Sequence, residues 1–229
     1  MKHLVLLHGW AANGRIWEKQ EAFVAHKAQV WAPDLPVWEA GWLMDNLRAF
    51  DPADTVLVGW SLGGMLALEA CALGFKPRIL VLVSACASFC RRPDYSLGIS
   101  AAVVRGMRQR LRSEAKQVVQ EFHQQLLAPG EADWQNDLEK LLLQEFTPEW
   151  LAQGLDYLRA QDLRGILPEV EARDIVLLHG RRDRIIPAGQ AYYLRDQLPE
   201  ARLVLLPGAG HAPMITCSST LNEVLAEFL

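Results

Sequence analysis

The strongest constraint on this chain is a set of short, nearly continuous apolar runs at residues 4–7, 55–58, 79–83, 175–178 and 203–206. A strand with one face in water alternates apolar and polar side chains. A run without alternation is a strand buried on both faces, the condition of a parallel sheet covered by helices. Most of the runs end at once in Gly, Ser or Pro, where the chain turns toward a helix. Helical periodicity follows at 16–26, 63–73, 190–198 and 219–229, and strand alternating with helix predicts the α/β class with a mostly parallel sheet. Two runs read almost alike, Leu4-Val5-Leu6-Leu7-His8-Gly9 and Ile175-Val176-Leu177-Leu178-His179-Gly180. Nothing beyond the hexapeptide repeats, so they are two strand ends of one sheet, each delivering a loop to the carboxyl edge where such sheets bind ligands. His8 and His179 are read as structural, setting the turns before Gly9 and Gly180.

Residues 86–170 break this rhythm with helical periodicity and no strand-like run, which predicts a helical cap inserted over the carboxyl edge of a single domain spanning 1–229. That length buries a core without metal or disulfide. A composition of 51% hydrophobic and 22% charged residues is that of a soluble globular chain, and a net charge of −4 gives no general reason to bind nucleic acid or anionic membrane. Cys71, Cys86, Cys90 and Cys217 lack metal-site spacing and are expected as reduced thiols. No apolar run is long enough to span a bilayer. Met1-Lys2-His3 followed by four apolar residues is too short for a signal peptide, so a cytoplasmic protein is expected.

The chemistry is carried by Gly59-Trp60-Ser61-Leu62-Gly63-Gly64, between a strand and an Ala/Leu-rich helix. In that context G-x-S-x-G forms a tight turn that exposes the serine hydroxyl. The plainer alternative is a serine that caps the helix. A nucleophilic serine needs a base, and the base needs a carboxylate to orient it. In this architecture they follow in the order Ser, Asp or Glu, His. Asp183 follows the second hexapeptide, and His211 lies after the last run in Gly208-Ala209-Gly210-His211-Ala212-Pro213. Two N–H groups must hold the oxyanion, and the candidates are the backbone amides of Leu62 and Trp10. The side chains of Trp10 and Trp60 are then either walls for an acyl chain or simple packing.

On these residues the chain resembles the α/β-hydrolase family. Leu6-Leu7-His8-Gly9-Trp10 with Trp17, the serine motif with Trp60, Asp183 with Pro187 and His211-Ala212-Pro213 are similar to its methyl ester carboxylesterases of biotin synthesis, which act on pimeloyl groups borne by acyl carrier protein. Gly154-Leu155 through Asp162-Leu163-Arg164 extends the likeness into the cap. The resemblance implies a cofactor-free serine esterase with Ser61, Asp183 and His211 as catalytic triad and Trp10 and Leu62 as oxyanion hole. It places Trp10, Ser61, Leu62, Phe122, Leu126 and His211 against the substrate, and makes acyl carrier protein the partner. The chain departs from the family in three respects: it starts directly at the strand before His8, Val37 stands where the family usually has glycine, and Gln117 and Glu121 occupy positions where the family's cap carries arginines.

Basic residues lie just upstream. At 100° per residue, Arg105, Arg108, Arg112 and Lys116 share one helical face, with Met107, Leu111, Val118 and Phe122 broadly opposite. Four cations on a chain of net negative charge suit an acidic partner, although a solvated face reads the same way. Three other functions stay open: a general short-chain carboxylesterase, another hydrolase or lyase using the same triad, and a non-catalytic binding protein on this fold.

Overall fold

A computed structural model describes residues 2–142 and 144–229; Met1, the start of the segment read above against a signal peptide, and Leu143 lie outside it. Six strands form one sheet: β1 His3–Leu7, β2 Gln29–Trp31, β3 Thr55–Trp60, β4 Ile79–Val83, β5 Asp174–Gly180 and β6 Arg202–Leu206. Their spatial order is β2-β1-β3-β4-β5-β6, and every pairing between these strands is parallel. The five apolar runs are five of these strands. Every residue of β3 and β4 is buried, which is why their sequences do not alternate. Edge strand β2 has only three residues, all at least partly exposed, and gives too little apolar signal to be read.

The helices are α1 Glu18–Val24, α2 Ala40–Leu47, α3 Leu62–Ala72, α4 Ala101–Gln125, α5 Gln135–Leu141, α6 Pro148–Ala160, α7 Gly189–Gln197, α8 Pro213–Thr216 and α9 Ser218–Ala226. Helix α3 is apolar on all sides, and except for Glu69 and Ala72 its residues are buried, as befits a helix enclosed on every face. The first helix begins later than its periodicity predicts, because Gly14–Trp17 form a 3₁₀ turn capped by the Asn13 side chain.

The sheet order places the site. From β1 the chain moves outward to β2, then returns to pair β3 on the other side of β1, so the loops after β1 and β3 diverge around a crevice at the carboxyl edge. Residues 84–173 connect β4 to β5 through α4, α5 and α6, and they seat on the loops after β1 and β2. The Trp10 indole N–H donates to Leu151 O (2.8 Å), the His123 ring to Ala11 O (2.7 Å) and the Trp150 indole to Leu35 O (2.8 Å).

The basic face expected on α4 is divided. Glu114 leaves the helical region (φ −133°, ψ 31°), so a kink separates Lys116 from Arg105, Arg108 and Arg112, and a single 100° wheel does not describe the segment. Arg108 Nε donates to both carboxylate oxygens of Asp156 on α6, each at 2.7 Å. Arg105, Arg112 and Lys116 remain exposed. The apolar residues of the other face pack as the periodicity requires, with Leu111, Val118 and Phe122 buried and Met107 half-buried.

Candidate active site

Ser61 stands between β3 and α3 at φ 55° and ψ −119°, a conformation rare for any residue with a Cβ. The turn is that sharp because glycines let strand and helix meet. A Cβ on Gly63 would lie 2.5 Å from the carbonyl oxygens of Leu7 and His8, and one on Gly59 would lie 2.5 Å from Gly63 O. The Ser61 hydroxyl does not cap α3, which removes the plainer reading of the serine. It lies 2.9 Å from His211 Nε2.

The other imidazole nitrogen, Nδ1, lies 2.7 Å from Asp183 Oδ2. A carboxylate only accepts, so Nδ1 carries the proton and Nε2 is left to accept from the serine hydroxyl. Asp183 is oriented by its own loop, with Oδ1 taking the N–H groups of Ile185 and Ile186 at 2.8 Å each. Burial pushes the Asp183 carboxyl up, but the charges and hydrogen bonds of His211, His179 and Ile186 outweigh it and hold the group below its ordinary value.

The two hexapeptide histidines do different work. His8 donates from Nδ1 to Gly9 O (2.8 Å) and accepts the Leu35 N–H at Nε2 (2.9 Å), so both bonds require the neutral ring. Complete burial lowers its pKa to about 4. His179 donates from Nε2 to Ile186 O (2.8 Å) and lies 3.4 Å from Asp183 Oδ2. Burial holds its imidazole below the ordinary value against the pull of Asp183.

Trp10 follows Gly9, where a Cβ would come within 3.0 Å of Ser61 Cβ, so the β1 loop passes directly over the serine. Ala11, with φ 51°, completes its turn. Leu62 opens α3, where an N–H has no acceptor within the helix. The Trp10 ring meets Phe122 edge-on at 4.7 Å, so an aromatic pair joins the β1 loop to α4. Leu126 is fully buried and reaches His211 through its backbone carbonyl, which accepts the His211 N–H at 2.7 Å. Trp60, left open as wall or packing, has a definite partner: its indole N–H donates to His211 O (2.7 Å). Glu131, which bonds the neighbouring Gly210, carried no sequence signal, because nothing local marks which backbone a lone glutamate will meet.

Arg105, Arg108, Arg112 and Lys116 lie on α4, outside this hydrogen-bonded constellation. At the two positions where the resemblance calls for arginines, Gln117 Nε2 donates to Glu121, and Glu121 also takes both terminal nitrogens of Arg110 (2.7 and 2.8 Å).

Residues 4–224 match the profile of the Alpha/beta hydrolase family. The chain belongs to that family. Among hydrolases of curated name, the pimeloyl-[acyl-carrier protein] methyl ester esterase of Nitrosomonas europaea is 34% identical over 232 residues, covering 93% of this chain and 90% of that protein. The esterase of the same name from Aeromonas hydrophila is 30% identical over 249 residues, covering 99% and 94%. An esterase from Exiguobacterium antarcticum superposes with a TM-score of 0.88 at 20% identity, covering all of this chain and 91% of that one, so the hydrolase fold is shared well beyond close sequence similarity.

Proposed function

We propose that this hydrolase is a serine carboxylesterase that removes the methyl group from the pimeloyl methyl ester of acyl carrier protein, in biotin synthesis. Ser61 Oγ attacks the ester carbonyl while His211 Nε2 takes its proton. The oxyanion is held by the N–H groups of Trp10 and Leu62. Methanol leaves with the proton from His211, and water then hydrolyses the acyl-enzyme by the same route, releasing the free carboxylate end. Asp183 keeps His211 in the tautomer this requires. Trp10, Phe122 and Leu126 border the acyl chain, and residues 84–173 act as the cap above it. We place the reaction in the cytoplasm, where carrier-bound acyl groups are handled. Among the described residues no helix is long and apolar enough to cross a membrane.

The observation that carries the hydrolase reading is the relay of 2.9 and 2.7 Å from Ser61 through His211 to Asp183 at the end of a strained turn. The substrate rests on the named relatives, which match nearly the full chain. A carboxylesterase for small free esters is the second reading, favoured by two observations: Arg108 is held by Asp156, and Glu121 stands where the resemblance calls for an arginine. Complementation decides between them. The gene should restore growth without biotin to a strain lacking its own pimeloyl ester esterase, and the Ser61→Ala gene should not. Failure by a protein that is expressed and hydrolyses small esters would select the second reading. Absence of Ser61 labelling by a fluorophosphonate would reject both and favour a binding protein.

A further inference from the structure

His211 must hold its imidazole between two partners, yet it sits on a loop, after Gly208 and Gly210, with no regular structure of its own. The backbone of this loop is fixed at three points, two on His211 and one on Gly210. The Trp60 indole donates to His211 O (2.7 Å), the His211 N–H donates to Leu126 O (2.7 Å), and the Gly210 N–H donates to Glu131 Oε2 (2.9 Å). Two of these points belong to the segment just beyond α4. The Glu131 oxygen is itself fixed, because it also accepts the Ala128 N–H (2.7 Å), and the residue is 8% exposed. The fit is close: a Cβ on Gly210 would lie 2.6 Å from Ala128 N and 2.7 Å from Leu126 O.

We propose that Glu131 is a positioning residue for the catalytic base, holding the His211 loop in place by accepting the Gly210 N–H. This rests on the esterase reading above. Glu131 touches neither Ser61 nor the imidazole, so it acts on the rate only through where His211 lies. The same contact makes residues 126–131 and the histidine loop one unit: the connection cannot lift there without releasing the base.

The test compares Glu131→Ala, Glu131→Gln, Gly210→Ala and Ser61→Ala with the wild type on p-nitrophenyl butyrate. Rates of fluorophosphonate labelling are measured alongside, and urea midpoints ensure that only folded protein is counted. Glutamine keeps an amide oxygen for both N–H groups, whereas alanine leaves them without an acceptor. Since a base displaced by about 1 Å costs on the order of 100-fold, Glu131→Ala should lose roughly 10- to 100-fold in kcat and in labelling rate while KM stays nearly constant. Glu131→Gln should retain most of both, and Gly210→Ala, which crowds the same contact from the other side, should resemble Glu131→Ala. The proposal is overturned if folded Glu131→Ala turns over normally, if Glu131→Gln falls as far as Glu131→Ala, or if the loss is confined to KM. Hydrolysis surviving in Ser61→Ala would instead bring down the esterase reading, and the proposal with it.

Discussion

Ser61 is held at φ 55° and ψ −119°, and that strain can be measured by exchanging one inactive variant for another. Ser61→Ala and Ser61→Gly both lack the hydroxyl, so both should lose ester hydrolysis by a factor on the order of 10⁶, and the missing bond to His211 cancels between them. They differ in the Cβ. Backbone strain of this kind costs about 1–3 kcal/mol, which glycine relieves. Against that, glycine makes the unfolded chain freer by about 0.4–1 kcal/mol and gives up about 0.8 kcal/mol of buried methyl. Central values leave Ser61→Gly about 0.5 kcal/mol more stable than Ser61→Ala. At a buried but unstrained position the same exchange would make glycine less stable by about 1.5 kcal/mol, from the same two costs. With a urea m-value of about 3 kcal/mol/M, the midpoint of the glycine variant should lie about 0.2 M above that of the alanine variant, rather than about 0.5 M below it. Equilibrium urea unfolding, followed by tryptophan fluorescence with a shared m-value, reads the difference. A glycine variant less stable by about 1 kcal/mol or more would mean that the elbow stores no strain of the size expected for so sparsely populated a backbone conformation.

Asp183→Asn should keep the fold, because the amide oxygen can stay on the Ile185 and Ile186 N–H groups; that turns the NH2 toward His211 Nδ1 and forces the proton to Nε2, and kcat should fall about 10⁴-fold, with a loss under tenfold pointing to another orienting acid. Trp10→Phe keeps the backbone donor and the edge contact with Phe122 and should alter chiefly chain-length preference, whereas Trp10→Pro should cost about 10²–10³ in turnover; equal, severe losses in a chain-length series would assign the role to the indole. His8 has a folded pKa of about 4, below its ordinary 6.5, so its contribution to stability is complete above pH 6.5 and is lost as pH falls toward 4, by about 3 kcal/mol in all; urea midpoints across that window should fall more steeply for the wild type than for His8→Gln, and equal slopes would contradict the assignment. If the cap face steers an acidic carrier, Arg105→Glu with Arg112→Glu, both exposed, should raise KM for the carrier-bound ester and weaken its salt dependence while leaving a small neutral ester unaffected; equal loss on both substrates would mean disturbed cap packing.

The parts legible from the chain alone are those whose causes lie within a few residues. Strand β3, the glycines at 59 and 63 and the following apolar helix are one local program, so the strained serine between them could be read directly. Asp183 and His211 were legible for a related reason: each lies in the loop that follows a strand, and a parallel sheet brings its strand ends to one edge. Long-range placement was not legible. The Trp60 indole finds a carbonyl 151 residues away, and Glu131 finds an amide 79 residues away. Neither partner is implied by local pattern, since a hydrogen bond depends on where two backbones finally lie. The cap charges show the same limit. Regular spacing put four cations on one face, but a kink at Glu114 and the approach of Asp156 from α6 divided it. Helix periodicity describes a straight isolated helix, whereas this one bends at Glu114 and a second helix takes up the charge of Arg108.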